Sequence, residues 1–535
     1  MPTFKLDGRE IPFEPGESII KAASKQGVEI PHYCWHPGLS APANCRMCLV
    51  EIKPAAGQRP VMLDIVELDK KSGEYKPVQK PKLLPACQMA CVEGQEVLSD
   101  LSSHVKEARS HVQELLLLNH PVDCPICDQA GECKLQDYWL EHQATQKRMK
   151  DEPVHKPKGV SFGDTIVYDG ERCVMCTRCV RFMEEVAKDP VLEMRERGNL
   201  NEIAVAPGRK LEGNYTFMTE HVCPVGALTT KDFRFKARVW FLRSADSICQ
   251  GCATGCNAHL DFDPRTNKVQ RYRPRDNEAV NKYWMCDEGM LSYKYAHETR
   301  ITEARVSNKK AKRAAAMESA KSALASVQGS LVAIVLSATH SLEDNVALLT
   351  LGRALSATSV YAAGRSPGQG DAILVDADKN SNTQGVRALA PDARQWSMFA
   401  HDVGAGRVTH AIALGADVPS DADILEKLDG LVVIAAHGGG LTGAAKVLLP
   451  AASWAEASGT FVNKNGIPQI SKKAIEPQGD SKPAWQIIAE LGKALGHDLG
   501  LGKLGEVRQK LGPKSDGKSE DKAAAPESTS QAEAE

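Results

Sequence analysis

Cysteine stops at Cys286 in a chain of 535 residues. The later part has no thiolate to offer a metal, so any redox chemistry built on cysteine belongs to the earlier part. Long apolar runs are missing too. The longest, such as Leu331 to Leu336 and Leu431 to Ala436, fall far short of the roughly 18 to 20 residues that cross a bilayer. The first residues, Met-Pro-Thr-Phe-Lys-Leu-Asp-Gly, lack the charged-then-apolar pattern of a secretion signal. A strong basic field is absent: the net charge is −2, which gives neither nucleic acid nor anionic lipid a reason to bind. These absences predict a soluble, intracellular protein with no transmembrane segment of its own, able to dock on a membrane complex. The length predicts several domains.

What is present is a run of four metal-ligand sets that takes up fifteen of the sixteen cysteines. In a reducing compartment clustered cysteines read as ligands rather than disulfides. The first set is Cys34, Cys45, Cys48 and Cys87. Ahead of it, Asp7-Gly8 between short apolar runs signals a hairpin, and a helix is expected around Glu17 to Ser24. Closely placed thiolates plus one from a later strand form the plant-type [2Fe–2S] pattern. The gap before Cys87 holds a Lys-rich insert near Asp69 to Lys82. Cys91 fits no spacing and reads as a buried spare thiol.

The second set is His120, Cys124, Cys127 and Cys133. A helix is expected over Ser103 to Leu118, with Val105, Ala108, Val112, Leu115 and Leu116 at helical spacing, Ser102 or Ser103 as its cap, and Asn119 ending it before His120. Three thiolates and an imidazole suit a cluster of raised potential; zinc accepts the same donors, so spacing alone leaves both open. His104 reads as a surface or packing residue. The third set is Cys173, Cys176, Cys179 and Cys223-Pro224. Against the template of a two-cluster ferredoxin, Met183, Gly213, Thr216 and Thr219 stand where the other cluster's ligands would be. One complete [4Fe–4S] set therefore remains. The fourth set, Cys249, Cys252, Cys256 and Cys286, suits another [4Fe–4S] cluster, with zinc again open on spacing.

From about Ala314 the chain alternates short apolar runs (Leu331 to Leu336, Ala411 to Leu414, Leu431 to Ala435) with helical stretches (Leu342 to Leu355, Trp485 to Leu495). That alternation predicts α/β layers on a largely parallel sheet. His437-Gly438-Gly439-Gly440 reads as a plain turn rather than a phosphate loop. Asn308 to Arg313 reads as a solvated face or linker, and Pro513 to Glu535 as a disordered tail. No feature argues for NADH binding by this chain.

Three strings resemble one family: Asn44-Cys45-Arg46-Met47-Cys48-Leu49-Val50-Glu51, the run Asn119 to Cys133 followed by Leu135-Gln136-Asp137, and Cys173 to Phe182. They are similar to the large iron–sulfur subunit of bacterial respiratory complex I, over roughly residues 1 to 510. The resemblance implies one [2Fe–2S] cluster on the first set and [4Fe–4S] clusters on the other three; the fourth is similar to an extra cluster of some bacterial members that mitochondrial versions lack. It implies a multidomain α+β and α/β chain. Its parts would be a β-grasp ferredoxin-like domain (1–98), a His-Cys module (99–140), a bacterial-ferredoxin-like module with one cluster (141–240), a fourth cluster module (241–300) and a molybdopterin-oxidoreductase-like α/β region (301–512). Trp454-Ala455-Glu456, Gly459 to Asn463, Gly466 and Gln469 carry the last likeness. Active molybdenum enzymes usually place Cys, selenocysteine or Ser on the metal and a Lys two residues after the fourth cluster cysteine, where this chain has Glu288, so no molybdopterin is expected.

The implied role is electron transfer from a flavin/NADH-binding subunit through the clusters toward quinone. The His-Cys and third clusters would lie on the main path, with the [2Fe–2S] cluster assisting and the fourth off the path. The implied partners are that flavin subunit, a small 2Fe-2S subunit, a two-cluster ferredoxin-like subunit and the quinone-site subunits. The implied place is peripheral, on the cytoplasmic face of the bacterial inner membrane. A molybdopterin subunit of an NAD-linked formate dehydrogenase is the alternative; an iron-only hydrogenase and a zinc scaffold are weaker rivals. Metal analysis of protein purified without oxygen separates them. About 14 iron per chain with no molybdenum is expected; stoichiometric molybdenum would mean a pterin enzyme, and about 10 iron with one zinc would make one set structural.

Overall fold

A computed structural model describes residues 1–57, 59–143, 145–146, 148–418 and 422–511; the tail expected from Pro513 onward lies outside the described residues. The chain divides into two compact units, with the boundary between Val239 and Trp240.

The first unit opens with a five-stranded mixed sheet in the order Arg9–Pro12, Thr3–Leu6, Glu96–Leu98, Leu49–Lys53, Leu84–Pro85. Asp7 and Gly8 make the expected hairpin turn, both at positive φ (48° and 85°), which suits the twist of the paired strands. The Asp7 carboxylate also accepts the N–H groups of Ser99 and Asp100 at 2.8 and 2.9 Å. One short side chain thus closes the hairpin and fixes the end of the parallel neighbour. The helix Ile19–Lys25 lays Ile19, Ile20, Ala22 and Ala23 on a core with Phe4, Leu6, Ile11, Val50 and Val97. Cys91 is buried in that same core. The Lys-rich insert is a separate hairpin, Met62–Leu68 paired with Tyr75–Pro81.

The helix Ser103–Leu117 follows, and the Ser102 hydroxyl accepts the Val105 N–H. Its Arg109 is wholly buried and donates to the Ser99 hydroxyl at 2.6 Å, to the Asp100 carboxylate and to the Leu49 carbonyl. Beyond it, the strands Val160–Ser161, Ile166–Tyr168 and Leu228–Thr230 form a small antiparallel sheet. The helices Arg178–Glu185 and Phe217–His221 accompany it.

The second unit carries a three-stranded antiparallel sheet (Arg243–Ile248, Asn257–Asp263, Lys268–Pro274) and an eight-stranded sheet. In the large sheet six strands run parallel, in the order Val447–Pro450, Gly430–Ala435, His410–Leu414, Val332–Ser337, Ser359–Ala363, Arg394–Gln395. An antiparallel pair, Arg305–Val306 and Lys309–Lys310, extends one edge. The basic segment Asn308 to Arg313 therefore starts in this edge hairpin and ends at the first residue of the helix Arg313–Leu324.

Helices cover both faces, which is why the central strands read as unbroken apolar runs. Val332, Ile334 and Leu336 join one core with the helices Leu342–Ala354 and Ala484–Ala494. Ala333 and Val335 join the other with Trp396 and Phe399. Gly352 lets its helix sit directly on Ile334: a Cβ there would stand 2.6 Å from Ile334 Cγ1. Gly352→Val is expected to cost about 1–3 kcal/mol by overpacking, read as a lower denaturant midpoint, and Ile334→Ala in the same chain should recover part of it. An unchanged midpoint would mean that the interface yields freely.

Candidate metal centres

The first set sits in an irregular stretch between the helix Ile19–Lys25 and the strand Leu49–Lys53, closed by Cys87 just after Leu84–Pro85. Ala43 and Arg46 take positive φ (54° and 61°) in that loop. Cys34, Cys48 and Cys87 are buried. The sulfurs meet in pairs. Cys45 accepts the Cys34 main-chain N–H at 3.5 Å, and its pKa is drawn down by the neighbouring Cys34 thiol, whose own is raised. Cys87 is lowered in the same way by Cys48, which is raised.

In the second set, Cys124 opens a short turn of helix, Cys127 ends it, and Cys133 caps the helix Lys134–His142. The three thiols lie within electrostatic range of one another, and burial pushes Cys133 up to about 11. His120 is held at about 4 by burial and by Arg172, so its ring is neutral near pH 7, the form with a lone pair to donate. Its charged neighbours are Arg172, Asp169, Asp123 and Lys158.

The third set rings a small cavity lined by Cys173, Cys176, Cys179 and Cys223 together with Tyr168 and Ile203. Met175 and Thr177 take positive φ (51° and 60°) between the cysteines. This turns the Met175 N–H onto Cys173 Sγ at 3.4 Å. The fourth set likewise rings a cavity, lined by Cys249, Cys252, Cys256 and Cys286. Here Gly251 N–H points at Cys249 Sγ (3.3 Å) and Gly289 N–H at Cys286 Sγ (3.2 Å). Among the described residues no three His, Cys, Asp or Glu side chains close to the spacing of a single ion; these sulfurs surround spaces rather than a point.

The donors fit iron–sulfur groups. Burial pushes Cys173 and Cys249 up to about 11, so these thiols keep their protons near pH 7 unless a cationic centre takes the thiolates. The main-chain N–H groups aimed at sulfur suit anionic ligands.

Several residues that shape the sites carry no spacing signal. Leu374, Val375 and Lys379 close the fourth cavity from a distant loop. That loop is strapped down by Ala253 N–H to the Asp378 carbonyl (2.8 Å) and by Ser381 to Gln250 (2.5 Å). Lys379 pairs with Glu288 at 3.5 Å, so a cation stands beside the site although residue 288 is acidic. Glu288, Lys379 and Gly251 also line a larger cavity of about 760 Å³. Its rim includes Thr339, Gly415 and His437, beyond the carboxyl ends of parallel strands, where open α/β sheets hold ligands.

The plain-turn reading of the glycine loop passes over the spacing Gly438-x-Gly440-x-x-Gly443 behind the strand Gly430–Ala435. Only a five-residue helix follows, Gly440–Ala444. Gly439 instead serves a close approach, because a Cβ there would stand 2.7 Å from the Ala416 carbonyl oxygen.

Five family models match in order along the chain. They are a 2Fe-2S iron-sulfur cluster binding domain (residues 1–100), the NADH-ubiquinone oxidoreductase-G iron-sulfur binding region (109–148) and the ferredoxin-like domain of NADH-quinone oxidoreductase subunit 3 (163–229). The molybdopterin oxidoreductase Fe4S4 domain (242–298) and molybdopterin oxidoreductase (383–494) follow. The chain is similar to G subunits of NADH-quinone oxidoreductase. The Streptomyces coelicolor G subunit is 36% identical over 308 residues, 57% of this chain and 33% of its own. The Rickettsia felis G subunit is 28% identical over 629 residues, 95% of this chain and 89% of its own. The match thus spans about a third of the length of the Streptomyces protein. A chain of an NAD+-reducing [NiFe]-hydrogenase in the H2-reduced state is 27% identical, covering 44% of this chain and 91% of its own, with a TM-score of 0.35. The fold is the expected one: an N-terminal 2Fe-2S domain, 4Fe-4S modules and a molybdopterin-oxidoreductase-like α/β region.

Gly226 joins two of these modules. It lies three residues after Cys223, and a Cβ on it would fall 2.2 Å from Cys127 Sγ of the second set. Gly226→Ala is therefore expected to displace that thiol and lower the iron bound per chain, with the first and fourth sites intact by spectroscopy. Full iron content in the variant would mean that the Cys127 loop can retreat.

Proposed function

We propose that this chain is the multi-cluster electron carrier of an NADH-quinone oxidoreductase. Its four sets would hold one [2Fe–2S] and three [4Fe–4S] clusters: Cys34, Cys45, Cys48 and Cys87; His120, Cys124, Cys127 and Cys133; Cys173, Cys176, Cys179 and Cys223; Cys249, Cys252, Cys256 and Cys286. When bound, such clusters take up and release single electrons at potentials set by ligand charge, hydrogen bonding and burial. The chain's own residues position, bury and electrostatically balance them; no acid, base or nucleophile is required of it.

The observation that carries this reading is the interlocking of the third set with both of the others in the first unit. Asn44 donates from the first set's loop to the Met175 carbonyl at 3.1 Å. On the other side, Arg172, next to Cys173, pairs with Asp123, next to Cys124, at 3.0 Å, and Lys134, next to Cys133, donates its N–H to the Pro224 carbonyl at 3.1 Å. Ligand loops tied to one another suit sites that exchange electrons. Three independent structural metals would not need it.

The partners would be a flavin/NADH-binding subunit, a small 2Fe-2S subunit, a two-cluster ferredoxin-like subunit and quinone-site subunits. The chain would sit peripherally on the cytoplasmic face of the membrane; no helix among the described residues is long and apolar enough to cross one. The reading includes no pterin, because no cysteine follows Cys286 to sit on a metal and Glu288 holds the position of the usual Lys. The fourth site would lie off the main path. Cys176→Ala should stop electron flow to quinone while sparing NADH oxidation by an artificial acceptor at the flavin, and Cys256→Ala should cost far less turnover. Equal loss in the two variants would overturn the ordering.

A further inference from the structure

The helix Arg178–Glu185 begins inside the third set and carries two buried arginines, Arg178 and Arg181. Each guanidinium reaches main-chain carbonyls beside ligands of two different sets. Arg181 Nη2 donates to the carbonyl of Cys34 in the first set at 2.5 Å and to that of Cys176 in the third at 3.2 Å. Its other donors go to the Ser40 carbonyl and the Thr177 hydroxyl. Arg178 donates to the Trp35 carbonyl, next to Cys34, and at 3.3 Å to the Val222 carbonyl, next to Cys223. All these acceptors are neutral. Glu185, the carboxylate in this region, takes both the N–H and the hydroxyl of Ser40; its charge also acts on Arg181.

A guanidinium stays charged at any pH a protein meets. Burying one among neutral groups is strongly unfavourable unless an anion stands nearby. The place for that anion is on either side of the helix. In an iron–sulfur site four thiolates outweigh the charge of the iron core, and each reduction adds one more negative charge.

We propose that Arg178 and Arg181 are shared counter-cations of the first and third sets. They balance the anionic charge of both sites, hold the two potentials up together and brace one site's ligand loop against the other's. They are positioning residues, acting through field and backbone. The proposal rests on the reading that both sets hold clusters.

The test is a redox titration of the intact complex, purified without oxygen, following the electron paramagnetic resonance signals of both sites. Wild type is read first: absence of both signals there would refute the functional reading itself, before any arginine is changed. Arg181→Met should lower both midpoints, by roughly tenfold in the reduction equilibrium, about 59 mV for a one-electron couple. Arg181→Lys keeps the charge and should leave both near wild type. Unchanged midpoints in the Met variant at full iron content, or a shift of one site alone, would overturn the proposal. If Arg181→Met loses iron, the proposal requires that both sets lose it together and that Arg181→Lys restores it; loss from one set, or no rescue, would overturn it. Arg178→Met, read in the same way, should move both signals in the same direction and keeps the test open should Arg181→Met fail to fold.

Discussion

A thiol withdrawn from water holds its proton, and a chain that buries sulfur in sets must hold those sulfurs in place without help from regular structure. Both demands meet in the first unit. No strand or helix runs between Lys25 and Leu49, yet that stretch contains Cys34, Cys45 and Cys48. Its shape comes from outside, through the Arg178 and Arg181 donors, the Asn44 amide and the Ser40–Glu185 contact. The third set is anchored better, with its own helix and a strand on either side, and it lends that rigidity to the first. The first ligand loop is thus held by a segment more than a hundred residues later in the chain.

The second unit solves the same problem differently. Cys249 leaves one strand of an antiparallel sheet and Cys256 enters the next, with the Cys249 N–H donating to the Cys256 carbonyl at 2.8 Å. Cys286 caps the helix Asp287–Leu291 and receives the Gly289 N–H. Regular elements therefore deliver three of the four thiols. The α/β part contributes the lid: Leu374 and Val375 exclude water, and Lys379 supplies charge against Glu288. A cation beside a cysteine cage favours the thiolate form.

Local chemistry was legible in the sequence wherever a few adjacent residues decide the outcome. Asp7-Gly8 needs only positive φ and a short side chain. The helix over Ser103–Leu117 is set by its periodicity and the Ser102 cap. The strands Val332–Ser337 and Gly430–Ala435 are continuous apolar runs because both faces are covered. The insert before Cys87 was harder. Its strands alternate, but Met62, Val66 and Tyr75 stand exposed with no core to bury them, so its Lys content dominated the reading. Lys379 and Gly226 were beyond reach for another reason: each acts on a cysteine set far from it in sequence, and nothing in their own neighbourhood marks the contact.

Chain order and spatial order differ in the first unit, and the difference has a physical origin. In sequence the His-Cys set lies between the other two. In space the third set touches both, through Asn44 and the two arginines on one side and through Arg172, Lys134 and Gly226 on the other. A two-cluster ferredoxin scaffold explains how. Where its other cluster's ligands would stand, this chain has Met183, Gly213, Thr216 and Thr219; Met183, Thr216 and Thr219 are buried and Gly213 is exposed. Three of the four positions thus carry packed side chains in place of thiolates, and one cysteine set remains. The module's surface is then free to seat the neighbouring ligand loops, and the single remaining set becomes the one through which the other two are braced.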